Sequence, residues 1–245
     1  MSDEIRIAMW SGPRNISTAL LRSWGNREDT AVCDEPLYAH YLRQTAAEHS
    51  GREQVIAHHE SDWRKVVARL TGPIPGGKRI FYQKHMAHHL LDNIDRGWLD
   101  ELTHCFLIRE PREMITSLMQ KLPHPTLADT GLPQQVEILN YIQERRGVTP
   151  AVLDARDVLE DPRGMLARLC AATGVAFSET MLSWPGGPRP TDGIWARHWY
   201  ANVERSTGFA PYRPKSEDVP DRLRPLLRAC QTHYDALYAL RLGAA

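Results

Sequence analysis

The chain has 245 residues, with 30 basic and 30 acidic side chains and a formal net charge of zero. That length suits one α/β domain over residues 1–245 that buries its own core without disulfides or metal, and the neutral balance argues against a nucleic-acid binder working through bulk charge. No apolar run exceeds about five residues, well short of a membrane span. The N-terminus, MSDEIRIAMW, offers no signal-peptide core, and the four cysteines form no C-x-x-C pair. A cytoplasmic protein with reduced, buried thiols is the expectation.

In chain order, residues 4–10 (EIRIAMW) are predicted as a strand, 11–15 (SGPRN) as a turn, and 17–26 as a helix closed near Gly25. Strands follow at 30–33, 78–83, 103–108 and 150–155, and helices at 36–49, 86–94, 111–120 and 162–173, the last two opening at Pro111 and Pro162. Strands alternating with helices of this length indicate an α/β fold, a central parallel sheet covered by helices on both faces. Loop-rich insertions at 71–78, 121–133 and 183–193 are expected to fold over a site at the carboxyl ends of the strands. A terminal helix from Asp221 to Leu240 gathers Leu223, Leu227, Cys230, Tyr234, Leu237 and Tyr238 on one side.

The first strand–loop–helix is a candidate anion site, because a helix N-terminus presents free N–H groups and the positive end of its dipole. The loop adds the Arg14 guanidinium, and Ser17 and Thr18 contribute hydroxyls in the first turn. The alternative is that Asn15 or Ser17 caps the helix and Arg14 is solvated. The lysine and second glycine of the G-x-x-x-x-G-K-[ST] pattern are missing, which counts against ATP or GTP hydrolysis.

SGPRNISTALL (11–21) resembles the 5′-phosphosulfate loop, P-[KR]-S-G-[TS]-T, of sulfotransferases that use 3′-phosphoadenosine 5′-phosphosulfate (PAPS). Pro13, Arg14, Ser17 and Thr18 fit it, while Asn15 and Ile16 stand where the family usually has Ser-Gly. FLIREPREMITSL (106–118) resembles the family's 3′-phosphate site, with Arg109 at a strand end and Ser117 eight residues on. A guanidinium and a hydroxyl suit a dianionic phosphate; otherwise Arg109 pairs with Glu110 or Glu113 and Ser117 faces solvent. AVLDARDVLEDPRGMLARLCAATGV (151–175) resembles the late strand–turn–helix of the same family.

This resemblance implies a P-loop-like fold, PAPS as co-substrate with 3′,5′-ADP as product, and no metal. It implies a cofactor site formed by Arg14, Asn15, Ile16, Ser17, Thr18, Arg109 and Ser117. Arg197 or Arg205, in GIWARHWYANVERSTGF (193–209), would complete it, although the family's R-K-G run is absent. Arg14 would stabilise the leaving 5′-phosphate. Two residues compete as general base: Glu35, in an E-P-L stretch like that of bacterial glycolipid and carbohydrate sulfotransferases, and His85, beside Lys84 after the third strand. A first-turn acid is the plain alternative for Glu35. His85, His88 and His89 have a spacing that can bind zinc, but no further ligand accompanies them. The acceptor is read as a hydroxyl or amine on a small molecule, glycan or lipid. The competing functions are a divergent P-loop kinase or phosphotransferase and a non-catalytic nucleotide-binding protein.

Overall fold

The structure, a computed structural model, describes residues 4–243. The first residues of the segment read for a leader, and the ends of the 1–245 domain assignment, lie outside them. Strands β1 (Ile5–Ser11), β2 (Thr30–Asp34), β3 (Ile80–Met86), β4 (Thr103–Ile108) and β5 (Ala151–Asp154) form one parallel sheet in the order β2-β3-β1-β4-β5. The expected α/β sheet is therefore present. Its chain order reverses around β1, and in such sheets ligands bind in the crevice at the carboxyl ends beside the reversal.

The helices are α1 (Ser17–Gly25), α2 (Tyr38–Gln44), α3 (Arg52–His58), α4 (Trp63–Thr71), α5 (Pro111–Leu118), α6 (Leu132–Arg146), α7 (Ala155–Glu160), α8 (Pro162–Ala172), α9 (Ala196–Trp199), α10 (Ala201–Glu204) and α11 (Arg224–Tyr238). Alternate strand residues sort into two cores, as the two-residue period of a strand requires. Ile7, Met9, Tyr82, Cys105 and Leu107 pack on α1 and α8. Ala8, Trp10, Phe81 and Phe106 pack on the other face, against α4, α5, α6 and α11. A smaller cluster of Tyr38, Tyr41, Leu42, Val55, Trp195 and Tyr200 joins α2, α3 and α9 as a cap beside the sheet's carboxyl end.

Three expectations change. β3 runs to Met86 rather than ending at residue 83, so Lys84 and His85 are strand residues on opposite faces. The helix expected at 86–94 is one 3₁₀ turn, Ala87–His89, after which the chain leaves the helical path. Of the three insertions only 121–133 reaches the cavity described below, through Leu122 and Asp129. Residues 71–78 lead into the amino end of β3, and the 183–193 loop is fixed beside α1 by a bidentate Arg22–Asp192 pair at 2.5 and 2.7 Å.

Candidate functional site

A cavity of about 470 Å³ opens at the carboxyl ends of β1, β2, β3 and β4. Its floor is the loop between β1 and α1. Gly12 lets that loop pass close to the 126–131 turn, since a Cβ there would lie 2.2 Å from the Thr130 carbonyl oxygen. Arg14 follows in the left-handed region, at φ 58°, which costs a non-glycine residue on the order of 1 kcal/mol. Ile16 sits at φ −88°, so a side chain is tolerated where the family usually has glycine.

Side chains cap α4, α5 and α8, through Asp62, Glu110 and Asp161. None caps α1. The Asn15 amide instead brackets the loop, accepting from the Ile16 N–H at 2.9 Å and donating to the Leu107 carbonyl at 3.0 Å. The first intrahelical bond is Leu20 N–H to Ile16 O, which leaves the N–H groups of Ser17, Thr18 and Ala19 without an acceptor among the described residues. All three residues line the cavity. Free amides, the helix dipole and the Ser17 and Thr18 residues thus face the same space.

The two resembling motifs, far apart in sequence, meet here. Arg14 Nε donates to Ser117 Oγ at 3.0 Å, and Arg109 Nη1 donates to the Arg14 carbonyl at 2.7 Å. Arg109 is also paired with Glu113 at 3.0 Å, as its plain alternative anticipated, yet it still lines the cavity with Ser117. Lys215 joins them from the irregular stretch before α11. Burial and the neighbouring Arg109 charge both lower the Arg14 pKa, and the same two causes lower that of Lys215. Neither cation has a carboxylate partner among the described residues, so this end of the cavity favours an anion.

Glu35 lies across the cavity, directly after β2, at φ 40°. Lys84 Nζ donates to Glu35 Oε1 at 2.6 Å, to Asp34 Oδ1 at 2.9 Å and to the Tyr200 hydroxyl at 2.8 Å. Tyr200 in turn donates to Asp34 Oδ2 at 2.6 Å. Burial raises the Glu35 pKa, with Lys84 opposing it. Burial also works against the charge on Lys84, but Asp34 and Glu35 outweigh it and hold the lysine well above its ordinary value.

His85 does not reach the cavity. One residue from Lys84, it points to the opposite sheet face, stacks on Trp10 at 4.4 Å and is pushed down to about 3 by burial. Arg197 and Arg205 do not reach it either: both are exposed, bonded to Ile194 O and Asn202 Oδ1. Their segment contributes Trp199, Tyr200, Asn202 and Ser206 instead. Lys215 was missed because it lies in no helix or strand and belongs to no motif. Lys84 was legible only as the neighbour of His85. Among the described residues no group of His, Cys, Asp or Glu is arranged to hold a metal ion.

An α/β protein with an uncapped strand–loop–helix at the carboxyl end of its sheet, facing a buried carboxylate–lysine pair, is the class that fold and site define. The chain belongs to the sulfotransferase domain family, whose match covers residues 5–241. Its curated relatives include branched-chain-amino-acid aminotransferase-like proteins 2 and 1 of Arabidopsis thaliana. They are 33% identical over 231 residues and 34% identical over 240, covering 94% and 95% of the chain but only 41% and 43% of the relatives. The chain thus spans about two-fifths of their length. The fold is that of the sulfotransferase domain from the curacin biosynthetic pathway (18% identity, TM-score 0.59, 96% of this chain and 98% of that one). It is shared by the sulfotransferase domain of the Synechococcus PCC 7002 olefin synthase (16%, TM-score 0.59, 99% and 97%).

Proposed function

We propose that the protein transfers a sulfuryl group from PAPS to a hydroxyl, or an amine, of its acceptor. One observation carries this reading: Arg14, Arg109, Lys215 and the uncapped N-terminus of α1 converge on one end of a cavity whose other end holds Glu35. Arg14 and the Ser17–Ala19 amides would hold the 5′-phosphate, and Arg109, Ser117 and Lys215 the 3′-phosphate. PAPS supplies an S–O bond to its 5′-phosphate that breaks as the acceptor oxygen bonds to sulfur, giving a sulfate ester and 3′,5′-ADP.

Glu35 takes the proton that the acceptor hydroxyl loses, and its raised pKa brings it closer to the range of an effective base. Lys84, donating to Glu35 at 2.6 Å, keeps it oriented and favours its ionised form against the effect of burial. Arg14 does not give up a proton at this pH, so its contribution to the leaving phosphate is electrostatic. The relatives' aminotransferase-like name describes proteins of which this chain matches a minority. A lysine that forms Schiff bases must deprotonate readily, and Lys84, between two carboxylates, is held in the opposite state.

Calorimetry with 3′,5′-ADP against ATP–Mg²⁺ tests the reading. Preferential binding of 3′,5′-ADP is expected, and Arg109→Ala should weaken it at least about tenfold, ~1.4 kcal/mol. Equal or better binding of ATP would favour the kinase reading. Tight 3′,5′-ADP binding with no transfer from labelled PAPS to any acceptor would favour a non-catalytic protein. Glu35→Gln should lower turnover at least about a hundredfold, within the range of general-base catalysis, with 3′,5′-ADP affinity intact.

A further inference from the structure

The two ends of the cavity carry opposite charge. Beyond Glu35, the lining is Tyr38, His49, His88, His89, Asp129 and Trp199. Glu35 and Asp129 are the carboxylates that line it, and Asp34 lies just behind; the cation lining this end is Lys84, already shared between Asp34 and Glu35. Arg52 is near enough to act on His49 but does not line the cavity, and its nearest carboxylate is Glu53 at 4.0 Å. Asp129 receives the Thr126 N–H and hydroxyl at 2.8 and 2.7 Å and forms no ion pair among the described residues.

The three imidazoles add no positive charge. Burial holds His88 down to about 4 and places His49 and His89 below their ordinary value. His88 and His89 are 8% and 3% exposed and make no side-chain hydrogen bond among the described residues; their Nδ1 atoms are buried without a partner. Both still line the cavity. The His89 ring is sandwiched between Tyr38 and Tyr41 at 4.7 Å from each, and the Tyr38 hydroxyl meets His49 Nδ1 at 2.9 Å. Trp199 stands edge-on to His49.

The His89 faces are covered by Tyr38 and Tyr41, so the cation preference of this end rests first on its two lining carboxylates, Glu35 and Asp129; the aromatic rings of Tyr38 and Trp199 add to it where water is excluded. The same charges repel an acceptor that carries its own carboxylate. We propose that the acceptor is a small alcohol bearing a cationic nitrogen, an amino alcohol or quaternary ammonium alcohol. Its hydroxyl is placed at Glu35 and its nitrogen among Asp129, Trp199 and His49. This rests on the sulfotransferase reading for the chemistry, but the cation preference of the chamber is measurable without it.

The test compares choline with 3,3-dimethylbutan-1-ol, which has the same shape without the charge, and with 3-hydroxybutyrate. Binding to the full chain is followed by calorimetry and tryptophan fluorescence, with and without 3′,5′-ADP. Choline is expected to bind at least ten times more tightly than the neutral alcohol, with the hydroxy acid weakest. Asp129→Asn, whose amide oxygen still accepts from Thr126, should cut that preference to threefold or less and leave 3′,5′-ADP affinity unchanged; Trp199→Leu provides a second variant away from the 126–131 turn. Equal or tighter binding of the neutral alcohol or the hydroxy acid overturns the proposal, as does a preference untouched in both variants. If choline is preferred but 3′,5′-ADP fails to bind, the sulfotransferase reading falls and the cationic chamber stands; the reverse result removes only the acceptor class.

Discussion

At the scale of single residues, two non-glycine residues among those described occupy backbone conformations that favour glycine, Arg14 and Glu35, and both line the cavity. Strain kept at a binding site is expected where position matters more than stability. Arg14→Gly should therefore change stability by less than about 1 kcal/mol, relief of strain offsetting added chain entropy, while 3′,5′-ADP binding weakens more than tenfold. Urea unfolding and calorimetry on one sample separate the two effects. Tyr200 tests the other end of the cavity. Tyr200→Phe removes the donor to Asp34 Oδ2, a buried atom, and should cost about 1–3 kcal/mol in urea unfolding. Asp34 then draws harder on Lys84, and the Lys84–Glu35 pair weakens. Glu35 must be ionised to act as a base, so activity is lost as pH falls through its pKa. Weakening the pair raises that pKa further and moves the acid limb of the rate–pH profile to higher pH. A purely structural defect would lower the rate equally at every pH.

At the scale of elements, what repeats with a simple period was legible. All five strands correspond to short apolar runs in the sequence, α1 and α11 to apolar residues at helical spacing, and α1, α5 and α8 to Pro or Gly at their ends. The failures have local causes. By sequence β3 ends at residue 83, because Lys84 and His85 break its apolar run and Met86 opens the helix-like stretch 86–94, although a buried lysine between two carboxylates is compatible with a strand. With Lys84 and His85 read as following the strand, nothing separates their directions; inside it they point to opposite faces, since one residue in a strand is the difference between the two faces. The stretch 209–220 carries no periodic pattern, and its position depends on bonds no spacing reveals. Tyr212 donates to Glu113 Oε1 at 2.7 Å, and Arg112 donates to the Lys215 and Glu217 carbonyls at 2.8 and 3.3 Å. These contacts present Lys215 to the cavity. Tyr212→Phe should weaken 3′,5′-ADP binding about threefold to tenfold and speed proteolysis within 209–220, with saturating 3′,5′-ADP restoring protection. Unchanged affinity together with unchanged proteolysis would show that the stretch is held without Tyr212.

At the scale of the whole molecule, zero net charge conceals a partition: cations at one end of the cavity, of which Arg14 and Lys215 have no carboxylate partner among the described residues, carboxylates at the other, and histidines buried in the core. The histidines give the fold a pH dependence whose sign follows from their environment. Burial lowers His85 to about 3 and His88 and His104 to about 4, whereas imidazoles in an unfolded chain titrate near ~6.5. Between those limits the unfolded chain binds more protons than the folded one, so stability is full above about pH 6.5 and declines as pH falls towards 4. His88 and His104 each contribute on the order of 3 kcal/mol to that decline. Glu35 and Asp154, both raised by burial, act in the opposite direction in the lower part of the range, because their folded forms keep protons the unfolded chain releases. The difference between proteins is therefore the clean reading. Urea midpoints measured from pH 7.5 to 4.5 should fall steadily in the natural chain and less steeply in His104→Gln. This variant removes one titrating ring where Trp10 Nε1 donates to Nδ1 at 3.0 Å and Nε2 meets the Leu99 carbonyl at 2.8 Å. Parallel curves for the two proteins would mean that His104 takes up its proton inside the folded core, and the buried histidines would then lose their part in acid unfolding.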